Sequence, residues 1–92
     1  MRTPDDWLKR FGLRMKQIRL YRLLERLEVS LDVGIDRTTL GRFENGEYQP
    51  TIYCLLRLAR VYRWPLSGFD PDQPLLDPIT LLSVPPALEP EE

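Results

Sequence analysis

The chain has no histidine and a single cysteine, Cys54. One thiol excludes a disulfide framework within the chain. With no imidazole and no second thiolate, a zinc site of the usual kind is ruled out as well. No apolar run approaches the roughly 20 residues needed to cross a bilayer, and the N-terminus has no signal-peptide core. No membrane partner is therefore expected, and the expected setting is cytoplasmic. Also missing are a Gly-rich phosphate loop and any paired-carboxylate constellation, so neither an enzyme nor a cofactor is expected. Basic residues stop at Arg63.

That last absence gives the charge its shape. All thirteen Lys and Arg lie within residues 1–69 against eight acids, a net +5, whereas residues 70–92 hold six acids and no base, a net −6. The overall −1 hides a basic segment followed by an acidic one. Such a split suits a domain facing a polyanion with a separate acidic tail, the plainer account being solvated helix faces. Ninety-two residues, 42% of them hydrophobic, supply one modest core and not two.

The most informative stretch runs from Gly34 to Gly46. Gly34 can take the positive φ that ends one helix, and Asp36 can accept from the free amides that open the next. Leu40 and Phe43 then share one stripe, while Arg37, Thr38 and Arg42 fall on the opposite side. Asn45-Gly46 supplies a stop. The segment reads as helix, tight turn, helix.

Around it the pattern stays helical. Thr3-Pro4-Asp5-Asp6 has a capping hydroxyl, an early Pro and acids suited to a helix start. The first helix should run to about Arg22, with Trp7, Leu8, Phe11, Met15 and Ile18 buried and Lys9, Arg10, Lys16 and Arg22 largely outside. Thr51 is placed to cap a helix of about Ile52 to Tyr62. Ile52, Leu55, Leu56, Leu58, Ala59 and Tyr62 form its expected apolar face, with Arg57, Arg60 and Arg63 solvated or partner-facing. Cys54 reads as a small core side chain. Past Phe69 the chain holds six of its nine prolines and cannot form a long helix. Leu75, Leu76, Ile79, Leu81, Leu82 and Val84 recur there, which favours a docked arm over a flexible tail.

From Phe11-Gly12 through Phe69 the chain resembles the small helix-turn-helix domain of the phage lambda-repressor and Cro class, the XRE family. The resemblance is carried by Gly12, Arg19, Gly34, Thr39, Leu40, Arg42, Glu44, Asn45, Gly46 and Pro50, in register and without a gap. Departures cluster at Leu23-Leu24-Glu25-Arg26. Leu23 stands where the family has a Gly, Glu25 where it has a capping hydroxyl, and Arg26 where it has a phosphate-holding Gln. A second helix of about Arg26 to Val33 thus lacks the usual side-chain cap, a loss of about 1 kcal/mol. Ser30 replaces a small Ala, and its hydroxyl can bond back to a carbonyl of its own helix.

The resemblance implies an all-α, five-helix lambda-repressor-like bundle over residues 1–69, followed by an acidic, Pro/Leu-rich C-terminal arm over 70–92. Trp64, Leu66 and Phe69 would close the bundle from a short fifth helix or form part of a dimer contact. It implies a sequence-specific transcriptional regulator on double-stranded DNA, working as a homodimer with the arm as one means of joining subunits. Carried over residue by residue, Arg37, Thr38 and Arg42 read bases; Arg26, Thr39, Asn45 and Gln49 hold the backbone; Arg19 and Glu44 form a buried structural ion pair. The rival is an adaptor or antitoxin-like partner that keeps the fold but binds protein. Glu25 and Glu47 on the expected DNA side favour it, as does the acidic aliphatic tail.

Overall fold

Residues 4–78 are described by the computed structural model, side chains from Asp6 onward. The expected Thr3 cap and the arm from Ile79 lie outside the described residues. Among the described residues four α-helices follow one another: α1 (Pro4–Tyr21), α2 (Arg26–Val33), α3 (Arg37–Glu44) and α4 (Ile52–Tyr62). In place of the expected fifth helix there is a single 3-10 turn, Leu66–Phe69. Pro65 at its entrance and Gly68 within it leave too little sequence for a longer helix.

The core is drawn from every element. Phe11, Met15 and Ile18 of α1, Val29 and Val33 of α2, Leu40 and Phe43 of α3, and Leu58 and Tyr62 of α4 are buried together. Trp7 and Leu8 are only partly buried, Trp7 stacking on Phe11 with centroids 5.1 Å apart. Where α1 crosses α3, Gly12 allows the backbones to meet. A Cβ at that position would sit 2.7 Å from the Glu44 carbonyl oxygen and closer still to that of Phe43.

Helix ends depart from expectation in two places. The Asp36 side chain makes no capping bond; α3 opens instead on the Asp36 carbonyl, which accepts from Leu40 N at 3.0 Å. At α2 the missing hydroxyl is replaced by a capping box, with Glu28 Oε1 accepting from the Glu25 amide at 3.0 Å. Ser30 Oγ donates to Leu27 O at 2.8 Å, and Gly34 closes α2 at φ 85°. Thr51 Oγ1 accepts from Cys54 N at 3.1 Å and caps α4. Leu23, in the connection from α1 to α2, takes φ 59° and is 86% exposed. A branched side chain is disfavoured there by its own Cβ.

The buried stripe of α4 is Cys54, Leu58 and Tyr62, spaced by four. Ile52 and Leu56, expected in the core, lie on the far side at 66% and 44% exposure, because the stripe turns about Cys54 rather than Ile52. Burial pushes the Cys54 thiol above its ordinary pKa, the nearby Arg57 opposing the shift. Trp64 and Phe69 do close the bundle, Trp64 meeting Tyr21 edge-on and Phe69 stacking near Tyr62, but Leu66 is exposed.

Beyond the turn the chain runs back along α1. Buried Arg14 donates to three carbonyl oxygens, Gly68 and Asp70 at 2.8 Å and Gln73 at 2.6 Å. Burial lowers the pKa of this guanidinium from its ordinary value, the nearby Asp70 carboxylate opposing the shift. Arg10 pairs with Asp72 at 2.8 Å, Tyr21 donates its phenolic hydrogen to Asp77, and Leu75 packs against the core.

Candidate nucleic-acid interface

The site is built from the outer face of α3. Three turn-forming residues, Gly34, Ile35 and Asp36, bring α3 in across α2, with Gly34 N and Ile35 N both donating to Ser30 O. With Leu40, Phe43 and Glu44 turned into the protein, the 100° step of the helix turns Thr38, Gly41 and Arg42 outward, while Arg37, three before Leu40, is exposed as the first residue of the helix. These four line an open groove together with Arg26, Leu27 and Asn45. Thr39 is half-buried and Gln49 exposed, and neither lines that groove.

Beneath the lining of the groove, of which Arg19 and Arg26 are part, lies one shared carboxylate, that of Glu44. Arg19 grips Glu44 with two bonds, Nε to Oε2 at 2.7 Å and Nη2 to Oε1 at 3.0 Å. Arg26 reaches the same Oε1 with its Nε at 3.1 Å. The Glu44 side chain is fully buried, that of Arg19 nearly so, and that of Arg26 is 36% exposed. Sequence reasoning paired Arg19 with Glu44 and gave Arg26 to phosphate without seeing that Glu44 orients it. Arg26 and Glu44 stand 18 residues apart, on different helices, so no local spacing signals the contact.

The groove is not uniformly basic. Glu25 and Glu47 contribute carboxylates to its rim. Several arginines counted in the basic segment face inward instead. Arg22, expected outside, donates to Tyr62 O at 2.7 Å and Arg63 O at 2.9 Å and lies 4.9 Å over the Trp64 ring. Arg57, expected solvated or partner-facing, closes the end of α2 by donating to Val33 O at 3.0 Å and Asp32 O at 3.3 Å. Arg14 was missed altogether, although its spacing from Phe11 and Ile18 puts it on the buried stripe. The positive charge left to the groove is thus concentrated in Arg26, Arg37 and Arg42.

Arg42 donates to Tyr48 Oη at 3.4 Å, with its Cζ 5.5 Å from the ring centroid. Arg37 is exposed and has no partner among the described residues. Also among the described residues, no cluster of acids and thiols has the makings of a metal site, and no helix is long and apolar enough to cross a membrane.

Comparison with curated proteins gives no match. Solved structures do match. The restriction-modification controller protein C.AhdI from Aeromonas hydrophila aligns with a TM-score of 0.65 at 24% identity, over 67% of this chain and 94% of that one; that likeness is one of fold. An HTH_3 family transcriptional regulator from Vibrio cholerae aligns with a TM-score of 0.66 at 28% identity, over 75% of this chain, which spans 40% of the Vibrio protein's length. Residues 15–69, from the middle of α1 to the end of the 3-10 turn, match the helix-turn-helix family model HTH_3. The chain belongs to that family, a class of DNA-binding transcription regulators.

Proposed function

We propose that this protein is a sequence-specific regulator of transcription that inserts α3 into the major groove of double-stranded DNA. The observation that carries the reading is the two-sided character of α3. One side is fixed to α1 through buried Glu44 and Arg19, the other presents Thr38 and Arg42, and Arg37 stands exposed at the helix start, all three outside the core. A helix so anchored holds its outer side chains in a constant frame, which base readout requires. Arg37 and Arg42 would each grip a guanine edge, and Thr38 would meet a thymine methyl. Arg26, Thr39, Asn45 and Gln49 would hold phosphates and set the register. No chemistry is asked of the site, and it works without catalysis.

A single helix of this kind covers a few base pairs, so a homodimer reading two half-sites about 34 Å apart is the matching assembly. The C-terminal arm is one candidate for joining its subunits. The test is selection of bound sequences from a random pool of double-stranded DNA at two salt concentrations. An enriched palindrome supports both the reading and the dimer, whereas no enrichment at either salt overturns them. Glu25 and Glu47 on the groove rim favour a second reading, an adaptor that binds protein through the same face. Only that reading survives a pool with no enriched sequence.

A further inference from the structure

The two reading arginines differ in how they are held. Arg37 is free to sample its rotamers, having no partner among the described residues. Arg42 is not. It lies over the Tyr48 ring, 5.5 Å from the centroid, and donates to the Tyr48 hydroxyl. Tyr48 is 51% exposed, so its ring is not held there by core packing. What roots it is the backbone: Glu47 N donates to Arg42 O at 2.9 Å and Gly46 N to Phe43 O at 3.1 Å, folding the loop back on the last turn of α3.

A guanidinium kept over an aromatic face has lost part of its rotamer freedom before any ligand arrives, so less is lost on binding. We propose that Tyr48 is a positioning residue for specificity: it preorganises Arg42 to grip guanine, making the base pair under Arg42 more strictly discriminated than the one under Arg37. This rests on the DNA-reading role given to α3 above. Tyr48 itself touches no base in this scheme; it acts through Arg42.

The experiment is selection from a random double-stranded DNA pool with the parent, Tyr48→Phe, Tyr48→Ala, Arg42→Ala and the Tyr48→Ala/Arg42→Ala double variant, with affinities measured across salt. Tyr48→Ala is expected to weaken guanine preference at one base position by about two- to fivefold, the worth of an exposed cation–π contact. The Arg37 position and the salt slope stay as in the parent, because no phosphate contact is lost. Tyr48→Phe, which keeps the ring, retains most of the preference. In the Arg42→Ala background, Tyr48→Ala adds nothing. A uniform loss over all sequences with a shallower salt slope would make Tyr48 a phosphate contact and overturn the proposal. So would an unchanged preference, or an effect that survives the loss of Arg42. A parent that enriches no sequence removes the premise itself, a failure told apart by the parent arm alone.

Discussion

Arg26 and Glu44 meet through a single oxygen: Arg26 Nε lies 3.1 Å from Glu44 Oε1, which already accepts from Arg19. Three helices therefore converge on one carboxylate, with α1 and α2 supplying cations and α3 the anion. The buried side of the cluster fixes α3, and its half-exposed cation opens on the groove.

Removing the shared anion is expected to cost far more than removing the outer cation. Glu44→Ala leaves Arg19 buried and unpaired, and should destabilise the fold by about 3 to 5 kcal/mol. Arg26→Ala should cost about 1 kcal/mol or less, since that pair is partly screened by solvent. Urea titrations of both variants check the ordering. Similar midpoints for the two would mean that the cluster is not the anchor described.

In DNA binding the ranking changes. Arg37→Ala and Arg42→Ala should each cost about 1 to 3 kcal/mol on the preferred site and relax preference at one position. Arg26→Ala should weaken every sequence alike and flatten the salt slope by about one unit. Titrations on preferred and scrambled duplexes separate the two patterns. Intact preference in both α3 variants, with folding intact, would end the assignment of α3 to base reading.

Leu23 offers a stabilising change. Its φ of 59° disfavours a branched side chain, and that side chain is exposed and packs little. Leu23→Gly should relieve about 1 to 2 kcal/mol of strain, offset by about 0.4 to 1 kcal/mol from the looser unfolded chain. A small net rise in melting temperature is the expected outcome. A fall would show that the leucine makes contacts outweighing its backbone.

Tyr62 should make the fold sensitive to alkali. Its hydroxyl is buried with no protein partner among the described residues, and burial, aided by the Glu44 carboxylate, raises the phenol pKa above its ordinary 10.0. The folded pKa is thus higher than the unfolded one. The neutral phenol's contribution is complete below pH 10 and is lost as pH rises, by about 1.4 kcal/mol per pH unit until the folded pKa is reached. Tyr62→Phe should remove that slope and leave stability at neutral pH unchanged or improved, because an unbonded buried hydroxyl is lost. Urea midpoints at pH 7 and at pH 10.5 to 11 decide it. An equal alkaline slope in the variant would place the sensitivity elsewhere.

The bounds of α2 and α4, the turn at Gly34 and the outward pair Thr38 and Arg42 were legible because local rules carry them: periodicity and turn chemistry act within a few residues, whereas Arg37 is exposed by its place at the helix start. What escaped was long-range. Arg22 and Arg57 look like solvated charges in a helical window, and Arg14 like a misplaced charge on a buried stripe, yet each donates to carbonyls supplied by a distant segment. On α4 the expected Leu58 and Tyr62 are buried and Leu55 and Ala59 pack against the core, but Ile52 and Leu56 do not, because they form a stripe as regular as the buried one. Only the arrival of α2 chooses between them.

The fastening of Arg14 has a consequence for anyone grafting this helix-turn-helix domain onto another protein. The family-matched segment begins at Met15 and ends at Phe69, so it leaves out both Arg14 and two of its acceptors, Asp70 and Gln73. A fusion joint cut to those borders would strip the clasp from the back of α1. A transplanted unit that keeps the clasp must hold Arg14 together with Asp70 and Gln73.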